Sequence, residues 1–355
     1  MLQSSILRSL RCLRSSTYRN LDRLVAFVDR LSWRGSWRGI GTDFRFENEI
    51  WEPQAFFDRW RSSFSAPEEF FLRMPILRPC ASLISIRRTA CGTVSELILE
   101  RPRSPNHSEQ NLIPIRYLRA DRSANDACVI VLTGWWRKSL LQEERFCAPF
   151  LCNGFDVVLI SAPYSQERTP VGYRSGELFI TPDLYACVEN IQTCVMDTVA
   201  VLKWLELRGV RHRVLLGLSL GGILMQIVAS TCRAEGLILI MAGANLSLIV
   251  WDGLATQDLK HAYSTQGISR ENLALAWAIC DPMNIGAACK VAKERILLFT
   301  SKYDLIMPLA CQELLWRALD EPRRVELCCS HYGIVFHIHE IQHRMLKFLQ
   351  AIKPA

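Results

Sequence analysis

Short, continuous apolar runs recur from about residue 128 onward, and segments with helical periodicity separate them. Apolar runs of this length are typical of parallel strands that are buried on both faces. The predicted buried strands are 128–132, 156–160, 214–216, 236–240, 295–299 and 325–327. The longest predicted helices between them are 187–207 and 220–232. Strands that alternate with helices predict an α/β fold with a doubly wound, mostly parallel sheet.

Before residue 128 the pattern of apolar and polar residues is different. Residues 43–73 carry aromatic side chains at helical spacing, which is typical of an arm that packs on a core. After Pro75 and Pro79, alternation of apolar and polar residues predicts three further strands. These strands are 83–86, 94–99 and 113–118. We therefore divide the chain into a basic, aromatic-rich, helical N-terminal extension, residues 1–81, and a main domain, residues 82–355.

A long insertion separates the fourth and fifth predicted buried strands. Residues 245–290 have a helical pattern and contain Trp251, Tyr263 and Trp277. Ligands bind doubly wound sheets beyond the carboxyl ends of the strands, where an insertion can cover them. We interpret the insertion as a lid over that edge, and an ordinary packed insertion is the alternative.

Length and composition limit the protein class. With 355 residues, half of them apolar, the chain can form one large α/β domain or two small ones. No run of eighteen apolar residues occurs, so we expect no transmembrane helix. The fourteen cysteines are scattered and form no Cys-x-x-Cys pair. We interpret them as mostly reduced thiols in an intracellular compartment.

The positive charge is concentrated at the N-terminus. Residues 1–40 carry eight arginines against Asp22 and Asp29, a local net charge of +6 out of +7 for the chain. The remainder is nearly neutral, which does not support a nucleic-acid-binding surface on the main domain. Since this arm is far in sequence from every candidate catalytic residue, we expect it to be dispensable for chemistry.

The beginning of the arm has a recognisable pattern. Four arginines alternate with serines and apolar residues, and no acid precedes Asp22: Arg8, Arg11, Arg14 and Arg19. This pattern is typical of a mitochondrial presequence or of a helix that binds a membrane surface, and a solvated basic helix is the alternative. We expect a cytoplasmic protein, with a mitochondrial location as the alternative and peripheral membrane contact through the arm.

Ser219 is the candidate nucleophile. It is the central residue of Gly217-Leu218-Ser219-Leu220-Gly221, which follows a predicted strand and precedes a predicted helix. Gly-x-Ser-x-Gly in this context is typical of a nucleophile elbow, a strained turn that exposes the serine hydroxyl. The motif alone is weak, because a glycine-rich turn that contains an uninvolved serine has the same sequence.

Two more residues complete a candidate catalytic triad. Asp304 follows the predicted strand 295–299, and His331 follows the strand 325–327. Taken singly, Asp304 is equally typical of a turn and His331 of a hydrogen-bonded loop. Each of them lies beyond the end of a strand. Together with Ser219 they follow the chain order of serine, acid and histidine that this architecture requires. We predict Ser219 as nucleophile, His331 as base and Asp304 as the residue that orients the base.

The same architecture predicts the position of an oxyanion hole. One donor is the backbone N–H of Leu220, directly after the nucleophile, and the other comes from the loop after strand 128–132. By position, the second donor is the N–H of Trp135. The indoles of Trp135 and Trp136 either line the acyl pocket or belong to the core.

Residues from about 128 to 349 resemble the α/β-hydrolase superfamily, near its dienelactone-hydrolase-like and abhydrolase-domain members. The matching segments are Gly217–Gly222, Tyr303-Asp304 with Pro308, His331-Tyr332, Pro163–Pro170 and Asp281-Pro282. The resemblance implies a serine hydrolase that cleaves esters or related acyl bonds of a small molecule or lipid without metal or organic cofactor. The chain departs from the pattern where Thr133 replaces the usual histidine of the oxyanion loop and where Ser330 precedes His331 instead of glycine.

Two other classes of function compete with this interpretation. His339-Glu340-Ile341-Gln342-His343 matches the zinc motif His-Glu-x-x-His, in which a glutamate acts as base. Zinc needs a third protein ligand, and no His, Asp, Glu or Cys follows His343, so we interpret this segment as the polar face of the last helix. The other alternative is a non-catalytic binding protein with a hydrolase fold.

Overall fold

The computed structural model describes residues 15–33, 52–72, 79–100, 108–122 and 126–353. Three of the four arginines in the presequence-like pattern therefore lie outside the described residues. The same holds for part of the aromatic arm and for Pro75 between the arm and the first strand.

The described residues form nine strands and twelve α-helices. The strands are β1 Ala81–Thr89, β2 Gly92–Glu100, β3 Leu112–Ala120, β4 Ala127–Leu132, β5 Asp156–Ile160, β6 His212–Leu218, β7 Gly236–Ile240, β8 Ile296–Ser301 and β9 Arg323–Leu327. The helices are α1 Ser15–Trp33, α2 Pro53–Trp60, α3 Glu68–Phe71, α4 Leu141–Cys152, α5 Leu184–Leu207, α6 Leu220–Thr231, α7 Leu246–Asp252, α8 Gln257–Thr265, α9 Arg270–Ala276, α10 Pro282–Ile285, α11 Leu309–Ala318 and α12 Ile338–Ile352. Short 3₁₀ turns connect several of them, including Leu254–Thr256 and Tyr332–His337.

All nine strands belong to one sheet with the order β1-β2-β3-β5-β4-β6-β7-β8-β9. Strands β4 to β9 pair in parallel, whereas β1, β2 and β3 form an antiparallel extension that joins the sheet through β5. Each strand predicted from the sequence is present, and the doubly wound, mostly parallel α/β fold is confirmed.

Helices cover both faces of the sheet. Along β4, Cys128 and Ile130 point into one apolar cluster and Val129 and Val131 into another, because alternate side chains leave a strand on opposite faces. The first cluster includes the buried faces of α5 and α6, and the second includes those of α4 and α12. Burial of the central residues of β4 through β8 on both faces of the sheet explains why these residues are apolar without alternation.

The cysteines follow the expectation with one exception. Cys91 and Cys152 form a disulfide that links the β1–β2 turn to the end of α4. The other eleven cysteines of the described chain are free, and seven of them are buried. Most of the described cysteines are therefore free, as the interpretation of mostly reduced thiols expects, and the bonded pair is the exception. The intracellular compartment stays a prediction.

The N-terminal helix α1 packs on the main domain through one face. Tyr18, Asp22 and Ala26, spaced at four residues, are buried, whereas Leu24 and Phe27 on the opposite face are exposed. No helix in the described part of the chain is both long and apolar enough to cross a membrane.

The insertion between β7 and β8 contains helices α7 to α10. Two of its aromatic residues, Tyr263 and Trp277, are buried in the core, and the Leu254 N–H donates to the Leu305 carbonyl of the loop after β8, at 2.8 Å. The insertion is therefore helical and packed beside the edge where the candidate site lies. Its role as a lid and the division of the chain at residue 81 stay predictions.

Candidate active site

Ser219 occupies the turn between β6 and α6 in a conformation that few residues adopt. Its φ of 54° and ψ of −122° lie outside the right-handed regions, at a cost of about 1–3 kcal/mol that the surrounding structure must offset. Its N–H donates to the carbonyl of Ile240 at the end of the neighbouring strand β7, at 2.8 Å. This arrangement is the strand-turn-helix geometry of a nucleophile elbow.

The glycines on either side of Ser219 allow two backbone segments to approach closely. A Cβ at Gly217 would lie 2.3 Å from the carbonyl oxygen of Gly221, so the elbow itself has no room for a side chain. A Cβ at Gly221 would lie 2.3 Å from the carbonyl oxygen of Leu132 and 2.5 Å from that of Thr133. The spacing of the motif therefore follows from backbone contacts within the turn and with the loop after β4.

Asp304 and His331 meet beyond the carboxyl ends of β8 and β9. The Nδ1 of His331 lies 2.8 Å from Oδ2 of Asp304, and their side chains are 12% and 0% exposed. Two backbone hydrogen bonds keep the two loops together: Lys302 N–H donates to Leu327 and Tyr303 N–H to Cys329, each at 3.0 Å. The structure therefore brings these two predicted residues into direct contact.

Backbone donors fix the Asp304 carboxylate. Its Oδ1 accepts the N–H groups of Ile306 and Met307 at 2.8 Å each, which leaves Oδ2 for His331. Gln312 Nε2 lies 3.5 Å from the same Oδ2. Because Nδ1 of His331 faces a carboxylate, the neutral ring holds its proton there and leaves Nε2 as the basic atom.

The charges around His331 raise its pKa above the ordinary value. Burial disfavours the imidazolium, but the negative charge of Asp304, its hydrogen bond and the negative charge of Asp22 together outweigh burial. The site is therefore arranged to accept a proton on His331. That is the property a general base needs.

Ser219 lies at the same edge of the sheet as this pair. Strand β6, which precedes it, is separated from β8 only by β7, and the parallel registers align Leu218 with Ile240 and Ile240 with Phe299. Among the described contacts no hydrogen bond joins the Ser219 hydroxyl to His331. Such bonds are often long in unliganded enzymes and shorten when substrate binds.

The loop after β4 approaches the elbow, as predicted for an oxyanion loop. A Cβ at Gly134 would lie 3.4 Å from the Cβ of Ser219. The Trp135 indole donates to the carbonyl of Gly176 at 2.8 Å and packs partly buried against the core. Leu220 is the first residue of α6, and first-turn N–H groups have no partner within their helix.

Glu143 was not predicted from the sequence and holds this loop in place. Its Oε1 accepts hydrogen bonds from the Thr133 hydroxyl at 2.9 Å and from Nε of Arg137 at 2.7 Å. The side chain is buried at the start of α4. Thr133, the departure from the family pattern, therefore anchors the loop after β4 to the helix that follows it.

The His-Glu-x-x-His segment lies on α12. His339 and His343 are exposed, and Glu340 pairs with Arg344 at 3.0 Å. No group of three or more metal-ligating side chains with suitable geometry occurs among the described residues. The two histidines lie on the outer face of the closing helix, as the periodicity predicts, whereas Ile341 and Gln342 between them are buried.

Asp22 is the other residue that the sequence analysis missed. It lies on α1, is fully buried, and accepts N–H groups from Leu305, His331 and Tyr332 at 3.0, 3.3 and 3.1 Å. Helix α1 therefore contacts the loops that carry Asp304 and His331. The expectation that residues 1–40 are dispensable for chemistry stays a prediction. The available signal was that Asp22 is the first acid in an otherwise basic segment.

Fold and sequence comparisons agree on the class of this protein. It has the α/β-hydrolase fold. The chain belongs to the family described as alpha/beta hydrolase domain containing 18, whose match covers residues 102–290, more than half of the chain. The match includes Ser219 and ends before Asp304 and His331. A curated relative, the uncharacterized protein YdjC of Bacillus subtilis (strain 168), is 28% identical over 105 residues, 30% of this chain and 89% of that protein.

Solved structures share the fold at low sequence identity. Acetyl xylan esterase 1 from Thermoanaerobacterium sp. JW/SL YS485 superposes with a TM-score of 0.65 at 14% identity, over 84% of this chain and 98% of that one. The acetyl xylan esterase from Paenibacillus sp. R4 gives 0.61 at 15% identity, over 86% and 96%. The acylaminoacyl peptidase of Pyrococcus horikoshii gives 0.53 at 12% identity, over 76% and 49%.

Proposed function

We propose that this protein is a serine hydrolase that cleaves an ester or related acyl bond of a small molecule or lipid. The observation that carries the proposal is the convergence of three features at one edge of the sheet. These are the strained elbow at Ser219, the hydrogen-bonded pair of Asp304 and His331, and the closely packed loop after β4. The esterase and peptidase names of the structural relatives are consistent with acyl transfer on this fold.

The proposed reaction has two halves. The Ser219 hydroxyl attacks the acyl carbon, and Nε2 of His331 takes its proton. The imidazolium, stabilised by Asp304, then gives this proton to the departing alcohol, and an acyl-enzyme remains on Ser219. A water molecule, deprotonated by His331, attacks the acyl carbon, and the acid leaves as Ser219 regains the proton.

Backbone N–H groups stabilise the charge that develops on the acyl oxygen. In this proposal the donors are Leu220, at the start of α6, and Trp135, in the loop after β4. Each such donor is worth about 10²–10³ in kcat in comparable enzymes. The Thr133–Glu143 hydrogen bond keeps this loop against the elbow, which holds the two donors at a fixed separation.

Turnover of p-nitrophenyl esters of graded chain length tests the proposal. Wild-type protein should release nitrophenol and Ser219→Ala should not. Ser264→Ala, a matched change at an exposed serine whose hydroxyl bonds within α8, should behave as wild type. Equal turnover by wild type and Ser219→Ala would contradict the proposal, and absence of covalent labelling by a fluorophosphonate would favour a binding protein.

We also propose peripheral contact between α1 and anionic membranes. Leu24, Phe27 and Val28 form an exposed apolar strip on α1, 61%, 58% and 55% exposed, and Arg19 and Arg23 are exposed beside it. An exposed apolar face flanked by basic residues is typical of helices that lie in the headgroup region of a membrane.

Vesicle co-sedimentation tests this contact. Full-length protein should bind vesicles that contain phosphatidylglycerol more strongly than pure phosphatidylcholine vesicles, and salt should weaken the binding. The double variant Leu24→Glu/Phe27→Glu should lose most of it and keep turnover of a water-soluble ester. Unchanged binding by this variant would show that the strip is not the membrane contact.

A further inference from the structure

The carboxylate of Asp22 links the two loops that carry Asp304 and His331. Its Oδ2 accepts the N–H groups of Leu305, directly after Asp304, and of His331 itself, at 3.0 and 3.3 Å. Its Oδ1 accepts the N–H of Tyr332 at 3.1 Å. These partners are 283 to 310 residues away in sequence, so only the folded chain brings them together.

We propose that Asp22 is a positioning residue of the active site, which holds the His331 and Asp304 loops in register and adds a second negative charge behind the catalytic imidazole. This proposal rests on the proposed hydrolase function. It assigns part of the catalytic geometry to α1, an element outside the sheet and outside the matched family region, residues 102–290.

The burial of Asp22 supports a dedicated role. A carboxylate that is fully buried loses its hydration and needs hydrogen-bond donors in return. Here most donors are backbone N–H groups of two functional loops, and Ser330, next to His331, adds a side-chain bond. Loss of the carboxylate would therefore remove the partner of three part-buried N–H donors at once, and a donor left unsatisfied costs free energy.

Aromatic packing fixes α1 in this position. The rings of Tyr18 and Tyr303 are stacked with their centroids 6.1 Å apart, and the Arg19 guanidinium lies 6.0 Å from the Tyr303 ring centroid. Tyr303 directly precedes Asp304. Gly333, in the turn after His331, approaches the Tyr18 ring so closely that a Cβ would lie 2.7 Å from it. The helix therefore contacts both loops through side chains as well as through Asp22.

The charges at this position couple Asp22 to His331. Burial raises the pKa of Asp22, the nearby negative charge of Asp304 raises it further, and the hydrogen bonds from the N–H groups of Leu305 and Tyr332 and from Ser330 lower it. The charged groups that shift the pKa of His331 are Asp304 and Asp22. The negative charges of two carboxylates therefore act on one imidazole, and both favour the protonated form of His331.

Asp22→Asn in the full chain tests the proposal. Asparagine keeps the shape but offers one acceptor oxygen, and its amide group turns two donors toward the backbone N–H groups. We expect kcat for ester hydrolysis to fall about 10²-fold, the loss that a small misplacement of catalytic groups produces, with KM changed less than about threefold. The acid limb of the kcat/KM–pH profile should move to lower pH, because a negative charge beside His331 is lost.

Asp281→Asn is the matched control. Asp281 is also buried and accepts three backbone N–H groups, from Asn245, Leu246 and Met283, but it is not among the groups that shift the pKa of His331. It should lose stability as Asp22→Asn does and keep the acid limb of wild type. If Asp22→Asn loses stability but keeps kcat and the acid limb of wild type, Asp22 is only structural and the proposal is wrong.

Direct titration of His331 separates this proposal from the proposed function. The titration is followed by NMR in the Ser219→Ala variant, because it requires no turnover. The imidazole resonance of His331 is assigned as the one that His331→Gln lacks. Adding Asp22→Asn should shift the titration of this resonance to lower pH. If Asp22→Asn does not fold, Tyr18→Ala, which loosens the same helix, should move the resonance in the same direction. An unmoved resonance overturns the proposal, whereas a shifted resonance without any esterase activity overturns only the hydrolase assignment.

Discussion

The turn around Ser219 and the helix α1 both lie at the candidate site, but the first is shaped by contacts between neighbouring segments and the second by contacts between segments far apart in sequence. Around Ser219, every contact that shapes the turn lies within a few residues or on the adjacent strands, and the glycine spacing records those contacts in the sequence. Helix α1 reaches the site through Asp22, whose partners lie about 300 residues further along the chain. A local motif can therefore be predicted from the sequence. A contact between distant segments leaves a much weaker signal, here only the presence of one acid, Asp22, in a basic segment.

The two regions also differ in what their loss should cost. In the proposed mechanism Ser219 takes part in bond formation, so its removal should eliminate the covalent pathway. Asp22 acts on the position and the charge of His331, so its removal should slow the reaction and shift its pH dependence. Variants of the site can distinguish participation in bond formation from positioning of His331, because the two should lower kcat by different amounts.

Loss of Ser219 or of His331 should produce the largest effect. Ser219→Ala and His331→Ala should each lower kcat by up to ~10⁶, and the double variant should be little worse than either, because the two residues act as a unit. Steady-state kinetics with a p-nitrophenyl ester measures all three. Additive losses would mean that the two residues do not share one mechanism.

The histidines of α12 provide the control for this prediction. His339→Ala and His343→Ala change exposed side chains and should leave kcat close to that of wild type. A chelator such as EDTA should have no effect. Activity that a chelator removes and zinc restores, together with an inactive Glu340→Gln, would instead support the zinc alternative.

Replacement of the acid should cost less than loss of the base. Asp304→Asn keeps the loop but cannot hold His331 in the same tautomer, and we expect kcat to fall about 10⁴-fold, as in other triads. Kinetics on this variant, with its melting temperature measured in parallel, checks the prediction. A loss below about tenfold in a folded protein would show that another group orients His331.

The contact between the elbow and the oxyanion loop should be sensitive to one methyl group. Gly221→Ala would place a Cβ 2.3 Å from the Leu132 carbonyl oxygen, which must push the loop away from Ser219. We expect a loss of about 1–3 kcal/mol in unfolding free energy from overpacking. We also expect kcat to fall about 10²-fold from displaced donors.

Gly209→Ala is the matched control for that change. Gly209 follows α5 with a positive φ of 84°, and a Cβ added there would meet nothing within 4 Å, so only backbone strain opposes the methyl group. Its cost should be about 1 kcal/mol, with kcat unchanged. If the two variants have the same kcat, the close approach of the loop does not matter for catalysis.

The strands and the catalytic candidates could be predicted because their signals are local. Continuous apolar runs identified β4 to β9, and alternation of apolar and polar residues identified β1 to β3. The ends of β6, β8 and β9 indicated Ser219, Asp304 and His331. The disulfide, Glu143 and Asp22 could not be predicted in the same way. Each depends on which surfaces meet in the folded protein: Cys91 and Cys152 are 61 residues apart, and Asp22 and His331 are 309 residues apart. Their residue types are common enough that spacing alone carries no information.

The smallest effect that we predict is on pH dependence. The pKa of His331 is raised, and only the neutral imidazole accepts a proton from Ser219, so kcat/KM should rise with pH through a pKa above the ordinary 6.5. The same shift stabilises the fold fully below the unfolded-state pKa, and this contribution is lost as pH rises through the folded pKa. Profiles of kcat/KM and of melting temperature from about pH 5 to 9 measure both trends. An acid limb below the ordinary pKa of 6.5 would contradict the account.

Covalent labelling shows whether Ser219 is an activated nucleophile. Full-length protein is incubated with a fluorophosphonate probe, and peptide mass spectrometry identifies the modified residue. We predict one adduct on Ser219, none in Ser219→Ala, and labelling of His331→Ala that is slowed by orders of magnitude in proportion to its loss of kcat. Absence of labelling in folded wild-type protein, or an adduct on a different serine, would contradict this prediction.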